Sequence, residues 1–326
     1  MTPKTLNDTS RAFGKSGAVL VIILHYGKIS DTRECLRSLC GVNYQPFSVL
    51  VIDNGTGSAE SAHLCAEFSD VEVVTLDESV GFAAANNVGL ELSLSRGFCY
   101  SLLLNNDTIV DPDLLSILCG AMQNDCRIAM AGPLMFFYSD RNAVWACGGT
   151  IDRFRIQIDG NRELAGIGNS PADTDYLPGA CVLIRNAVLR ETQLMPEQYY
   201  LGFEEAEFCL AAKRIGYRIV VCREAVLYHK VGMSSERVPK YRYNHLRSRF
   251  LFARCLHGRL LGGIFTFAIC VSYLLRYPKD AALLRAALRD HLRYKAVKRE
   301  HLSDFEVGSA SLSSSGSNST SVARDE

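Results

Sequence analysis

Through its first 230 residues the chain alternates short apolar runs with longer stretches in which apolar positions recur every three or four residues. The apolar runs read as strands over 18–24, 49–52, 71–76, 101–104, 128–131, 182–184, 218–222 and 225–228. Each is short and without alternation, the pattern of a strand buried on both faces. Between them, Cys35, Leu36, Leu39 and Cys40 mark a helical face entered through an N-cap at Ser30 and Asp31. Further helices are predicted over 59–68, 81–94 and 112–122. Another follows 184, and one begins near Glu204 and stops at Gly216, glycine being the usual residue just past a helix end. Strand–helix alternation of this kind predicts βαβ units and a mostly parallel central sheet.

The pattern breaks twice. Residues 139–176 are rich in Gly, Asp and Arg and read as a hairpin or irregular insert, after which Leu177-Pro178-Gly179-Ala180-Cys181 leads back into a strand. Beyond 237 the alternation ends. Residues 241–257 are basic and aromatic, 260–275 carry no charge between Arg259 and Arg276, and 281–298 form a basic amphipathic helix. The expected organisation is a flexible segment 1–16, an α/β domain over 17–236, a basic helical region over 237–301, and a disordered Ser-rich tail over 302–326.

Composition adds little until charge is mapped along the chain. Its 326 residues, 48% hydrophobic and 21% charged, suit a globular protein of one large domain or two small ones. Formal net charge is zero, but 237–301 hold 15 Lys and Arg against 3 acids, whereas the residues before 237 hold 28 acids and 19 bases. This asymmetry predicts an anionic partner for the C-terminal third. A membrane surface is expected rather than nucleic acid, since no nucleic-acid motif accompanies the charge. The 12 cysteines form no C-x-x-C pair and no zinc-type spacing with His. Cys65, Cys119, Cys181, Cys222 and Cys270 lie in apolar surroundings, where a thiol acts as a small hydrophobe. No secretory leader is recognised at the start, so a reduced, cytoplasmic setting is expected.

Candidate chemistry collects where strands end, the place at which open α/β sheets bind ligands. The run Ser101-Leu102-Leu103-Leu104 breaks into Asn105-Asn106-Asp107, which either sets a carboxylate against a ligand or its metal, or simply turns the chain. Asp53 ends the second strand and is a ligand contact or a helix N-cap. Glu204, Glu205 and Glu207 open a helix, where acids also complement the macrodipole. His229 closes the last strand as a metal ligand or a structural residue. No G-x-G-x-x-G follows the first strand, which argues against a dinucleotide cofactor.

Asp53, the segment Gly81-Phe82-Ala83-Ala84-Ala85-Asn86-Asn87-Val88-Gly89, Asn105-Asn106-Asp107, and Glu204-Glu205-Ala206-Glu207 with His229 downstream together resemble the family-2 glycosyltransferases, most closely a rhamnosyltransferase-like branch. The resemblance covers about residues 17–257 and implies a GT-A type nucleotide-sugar-binding α/β fold with a mostly parallel central sheet. It implies a metal-dependent, inverting transfer of one sugar, with rhamnose a candidate, from a nucleotide sugar to a lipid-linked or cell-surface polysaccharide acceptor. Donor contacts then fall on His25, Tyr26, Asp53, Asn54, Asn86, Asn87, Asn105, Asn106 and Asp107, and Gly179 and Ala180 border the acceptor side. Mg²⁺ or Mn²⁺ would be held by Asp107 and His229, with Asn105 alongside. The general base falls on Glu205, with Glu204 and Glu207 beside it. Two departures from the family pattern stand out: Glu at 205 where Asp is usual, and Arg247-Ser248-Arg249 in place of Arg-Asn-Arg. The processive synthases of the family carry Q-x-x-R-W, whereas the single tryptophan here, Trp145, stands in Val-Trp-Ala. Two other classes remain open: a catalytically silent nucleotide-sugar-binding protein and a basic membrane-surface adaptor.

Residues 260–275 fall short of the roughly 20 apolar residues a bilayer span requires. Flanking arginines and a basic amphipathic helix predict peripheral, interfacial attachment through 237–301 at the cytoplasmic face of the membrane, or else a helix packed on the catalytic domain.

Overall fold

A computed structural model describes residues 16–56, 59–162, 170–231 and 239–293. The expected flexible start, the 236/237 boundary, residues 294–301 and the Ser-rich tail lie outside these, apart from residue 16. The first half alternates β1 (Val19–His25), α1 (Ile29–Leu39), β2 (Phe47–Asn54), α2 (Ala59–Glu67), β3 (Val71–Leu76), α3 (Phe82–Ser95) and β4 (Tyr100–Asn105). There follow β5 (Thr108–Val110), α4 (Leu114–Asn124), β6 (Ile128–Phe137), β7 (Val144–Ala146), β8 (Gly149–Asp152), β9 (Gln157–Gly160), β10 (Ala172–Asp173) and β11 (Cys181–Arg185). The chain continues through α5 (Asn186–Thr192), α6 (Glu204–Arg214), β12 (Arg218–His229), α7 (Pro239–Arg276), a short 3₁₀ turn and α8 (Ala281–Arg293).

The main sheet runs β10-β12-β6-β11-β4-β1-β2-β3. Pairs β1/β2, β1/β4, β2/β3 and β6/β12 are parallel, and β11 enters antiparallel between β4 and β6. Every residue of β1 and β2 is buried, because helices cover both faces of the sheet. The small residues of α3 let it lie close on that layer. A Cβ on Gly89 would stand 2.5 Å from Ile22 Cγ2.

Several expectations change in detail. The two predicted strands before His229 are one, β12, whose register against β6 shifts between Cys222 and Val226. The strand expected at 128–131 extends to Phe137, since β7 and β12 pair with its far end. The predicted N-cap at Ser30 and Asp31 is not one: α1 is capped at Lys28 without a side-chain bond, and Asp31 instead accepts a hydrogen bond from Lys230 Nζ at 2.7 Å. Cys65 is exposed on α2 rather than sheltered. The 139–176 insert contains the β8–β9 hairpin.

A second core joins this hairpin to α6 and the C-terminal helices through Ile156, Phe203, Leu210, Phe250 and Leu284. α7 breaks at Gly258, whose φ of 74° is the left-handed region that glycine tolerates. Past the break the helix crosses its own first half closely. A Cβ on Gly262 would lie 2.8 Å from Arg254 Cα. The helix buries Gly262, Thr266 and Ile269 and leaves the rest of this stretch largely open, so the packed alternative for 260–275 describes one face only.

Candidate active site

β4 ends at Asn105, whose N–H still bonds Ala180 O at 2.9 Å in the ladder to β11. The chain then turns tightly through Asn106 and Asp107, and Thr108 Oγ1 donates back to Asn105 O at 2.7 Å. β5 pairs antiparallel with the end of β12, setting Thr108 against His229. Asn105-Asn106-Asp107 is a turn, and that turn presents the Asp107 carboxylate to an imidazole. His229 Nε2 lies 3.1 Å from Asp107 Oδ1. Burial alone would raise the Asp107 carboxyl, but the His229 hydrogen bond and charge, with Lys230 nearby, hold it below its ordinary value. Lys230 is itself fixed by Asp31 and Glu34 at 2.7 and 2.8 Å. Trp145 packs edge-on against the His229 ring, centroids 4.3 Å apart. His229 Nδ1 is buried with no hydrogen-bond partner among the described residues.

α6 begins through Gly202 and Phe203, both at positive φ. For phenylalanine that conformation is costly, and the ring is held by Phe252 and His245 at centroid distances of 5.1 and 5.2 Å. The turn aims the first two residues of the helix inward. Glu205 Oε1 accepts from Gly179 N at 3.3 Å, and a Cβ on Gly179 would meet that oxygen at 2.7 Å, so only glycine leaves the carboxylate this room. Glu204 is buried, and its Oε2 has no partner among the described residues. Burial and the neighbouring Glu205 charge push the Glu204 carboxyl well up, and burial raises Glu205 as well. Both shifts favour the protonated form, and the two carboxyls titrate as a pair.

A cleft of about 910 Å³ joins the two ends. Asn105, His229, Gly179, Ala180, Glu204 and Glu205 line it together with Trp145 and Tyr176. The other expected residues stand apart. Glu207 accepts from Tyr199 Oη and Gln198 Nε2 and does not line the cleft. Asn87 spends its amide on Met195 N, Met195 O and Glu197 Oε1, at 3.0, 2.9 and 2.9 Å. Asn86 Nδ2 bonds Phe82 O one helical turn back. Asn54 Oδ1 accepts from Val80 N, and Asn106 Nδ2 donates to Thr32 Oγ1 and Tyr26 O. His25 is buried against Thr32, with Nδ1 2.7 Å from Oγ1, while Tyr26 is exposed. Asp53 is fully buried. Its Oδ1 accepts from Thr56 N and Oγ1, a capping-type arrangement, and its Oδ2 has no partner among the described residues.

Reading the sequence missed Trp145, Tyr176, the β9 strand and the α7 residues Tyr241, His245 and Arg249, all of which line the cleft. A spacing of four at 241, 245 and 249 was the available signal.

Among the described residues no three His, Cys, Asp or Glu side chains gather as a metal cage. One carboxylate and one imidazole nonetheless form a donor set that fits a divalent cation taking its remaining ligands from a diphosphate and water.

The fold is that of the GT-A class, and the protein is a nucleotide-sugar-dependent glycosyltransferase. The chain superposes on GalNAc-T7, solved with UDP, GalNAc and Mn²⁺, with TM-score 0.60 at 14% identity, over 84% of this chain and 55% of that one, so it spans about half that structure's length. It also matches S. aureus TarS 1-349 (0.55, 15%, 85% and 80%) and a mannosyltransferase from Pyrobaculum calidifontis solved with GDP-Man and Mn²⁺ (0.53, 15%, 84% and 86%). The chain belongs to glycosyl transferase family 2, whose family model matches residues 20–191. Its sequence is 23% identical to the dTDP-rhamnosyl transferase RfbF of Shigella flexneri over 76% of this chain and 83% of that protein. It is also 23% identical to the low-salt glycan biosynthesis hexosyltransferase Agl10 of Haloferax volcanii, over 75% and 78%. The matched family segment ends before Glu204 and His229, so both ends of the cleft depend on residues beyond it.

Proposed function

We propose that this transferase is metal-dependent and inverting, and moves one sugar, rhamnose being favoured by the likeness to RfbF, onto a lipid-linked or cell-surface polysaccharide acceptor. The observation that carries this reading is the single cleft lined by Asn105 and His229, with Asp107 hydrogen-bonded to that histidine, and by Glu204 and Glu205. Asp107 and His229 would hold Mg²⁺ or Mn²⁺, which supplies charge neutralisation for the diphosphate that leaves. Asn105 stands beside them for a donor hydroxyl. Asp53, with its open Oδ2, takes the nucleobase or ribose. Glu205 accepts the acceptor hydroxyl proton as that oxygen attacks the anomeric carbon and the bond to the diphosphate breaks. Burial pushes the Glu204 carboxyl up, and in its neutral form it would donate rather than repel. Asn87 and Glu207 act behind the site, holding the 195–199 segment that Asn87 and Tyr199 anchor.

Donor turnover with Mn²⁺ or Mg²⁺ tests this reading. Glu205→Gln should still bind donor and lose about 10²- to 10⁴-fold in rate. Equal turnover by wild type and variant would remove Glu205 as base, and no turnover by a donor-bound wild type would favour the silent binding protein.

The region 237–301 is proposed to face an anionic lipid surface. Past Gly258, Leu260, Leu261, Ile264 and Phe267 are exposed, Leu260 at 88% and Phe267 at 71%, between Arg259 and Arg276. Helix 241–276 is long and apolar enough to cross a membrane, but its first half packs on the catalytic body, so interfacial attachment fits better. Replacing Leu260, Ile264 and Phe267 by Asp should abolish sedimentation with vesicles containing phosphatidylglycerol. Unchanged sedimentation would refute it. This attachment is the basis for placing the protein at the cytoplasmic face of the membrane.

A further inference from the structure

The first half of α7 forms one wall of the cleft, and Tyr241, His245 and Arg249 all reach it. Their spacing of four puts them on one helix face. A phenol, an imidazole and a guanidinium make that face rich in donors, and the chain contains no Asp or Glu between 237 and 279 to oppose them. Arg249 ends the row. Its Nε donates to Ile156 O at 2.9 Å and its Nη2 to Arg155 O at 2.5 Å, bracing the turn of the β8–β9 hairpin. Those bonds leave part of the five-donor fork unused, and no carboxylate bonds it among the described residues. Burial depresses the guanidinium's pKa, and the acids that share the cleft, Asp159, Glu204 and Glu205, form no ion pair with it among the described residues. A half-buried cation beside a solvent-filled cleft, short of a counter-ion, is a receptor for an anion. A brace alone would require neither the charge nor the two donors one and two turns before it. Past the break at Gly258 the chain carries the exposed apolar residues Leu260 and Ile264.

We propose that Arg249, with His245 and Tyr241, binds a phosphoryl group carried by the acceptor, either the linker to an apolar chain or a phosphate within the glycan. This rests on the acceptor reading above and narrows it to a phosphorylated substrate.

The test uses the full-length protein in EDTA without nucleotide, titrated calorimetrically with decyl diphosphate, inorganic pyrophosphate and, as the neutral control, decyl maltoside. Decyl diphosphate should bind, with affinity about tenfold weaker in Arg249→Met and about threefold weaker in His245→Ala, while decyl maltoside shows no such dependence. Decyl diphosphate binding well above pyrophosphate assigns the group to a lipid linker, and equal binding assigns it to the glycan. Absence of binding to the wild type, or affinity unchanged in both variants, overturns the proposal. Should Arg249→Met lose its fold with the hairpin brace, the Tyr241→Phe/His245→Ala double variant decides, since neither side chain is in the buried core. Metal-dependent donor turnover on the same preparations separates the two readings. Turnover without diphosphate binding removes the anion site alone, and diphosphate binding without turnover removes the transferase mechanism alone.

Discussion

The polar side chains buried around the sheet fall into two groups that differ in how completely they are partnered. Asn54, Asn87 and Asn106, expected from the sequence as donor contacts, bond internal groups: a loop N–H, a distant strap, the start of α1. At the ends of the cleft Glu204 Oε2 and His229 Nδ1 are buried without partners among the described residues, as is Asp53 Oδ2 at the end of β2. Leaving such an atom unmatched costs about 1–3 kcal/mol, so a fold keeps few of them. The matched group builds the scaffold. Ser48 Oγ, Asp70 Oδ2, Thr266 Oγ1 and His291 Nδ1 are also unmatched among the described residues but lie away from the cleft, so it is the unmatched atoms at strand ends and in the cleft that mark where a ligand or a proton is expected. Family resemblance alone placed asparagines and acids in one donor-and-base inventory. Their hydrogen bonds divide them.

Breaking the division on the catalytic side should give the largest effect. Burial raises the Glu205 carboxyl above its ordinary value near 4.5, and only the ionised form can accept a proton. The transfer rate should therefore rise with pH through that elevated pKa, and its acid limb should vanish from the residual activity of Glu205→Gln. A pH–rate profile of both proteins checks this, and an acid limb that survives in the variant assigns it to another group.

On the scaffold side Asn87→Ala removes three hydrogen bonds and strands Met195 N in the interior. Chemical denaturation should show a loss of about 2–4 kcal/mol. With the variant kept folded below its transition, the KM for donor should stay near wild type. A large KM rise at preserved stability would return Asn87 to the donor site and blur the distinction between the two groups.

Much of the sheet was legible because β1, β2 and β4 are continuous apolar runs ending in polar triplets, and a buried parallel strand has few other appearances in sequence. The placing of Asp107 at a strand end and Glu205 at a helix start was legible for the related reason that these acids immediately follow an apolar run or open a periodic one. The antiparallel entry of β11 was not, since strand order depends on long-range pairing that leaves no periodic trace. Nor was the internal use of Asn87, whose partners lie 108 and 110 residues away. The α7 wall was hidden for another reason: its basic residues read as one charged surface. Only the packing of Phe250 and Leu246 into the second core turns Tyr241, His245 and Arg249 toward the cleft.

The smallest effect sharpens the comparison most, because it concerns a carboxyl that burial pushes well above its ordinary value. Glu204 has a folded-state pKa raised well above 4.5 by burial and by the charge of Glu205. The folded chain therefore binds that proton more tightly than the unfolded chain does. The associated stabilisation is complete below the unfolded pKa and is lost as pH rises through the folded one. Glu204→Gln keeps the neutral shape and removes the titration. Its melting temperature should match wild type near pH 4 and exceed it increasingly toward alkaline pH, by roughly 2–4 °C if the cost is about 1 kcal/mol. A constant gap across pH would mean that folding does not shift the Glu204 pKa, and the unmatched oxygen would then carry no buried proton.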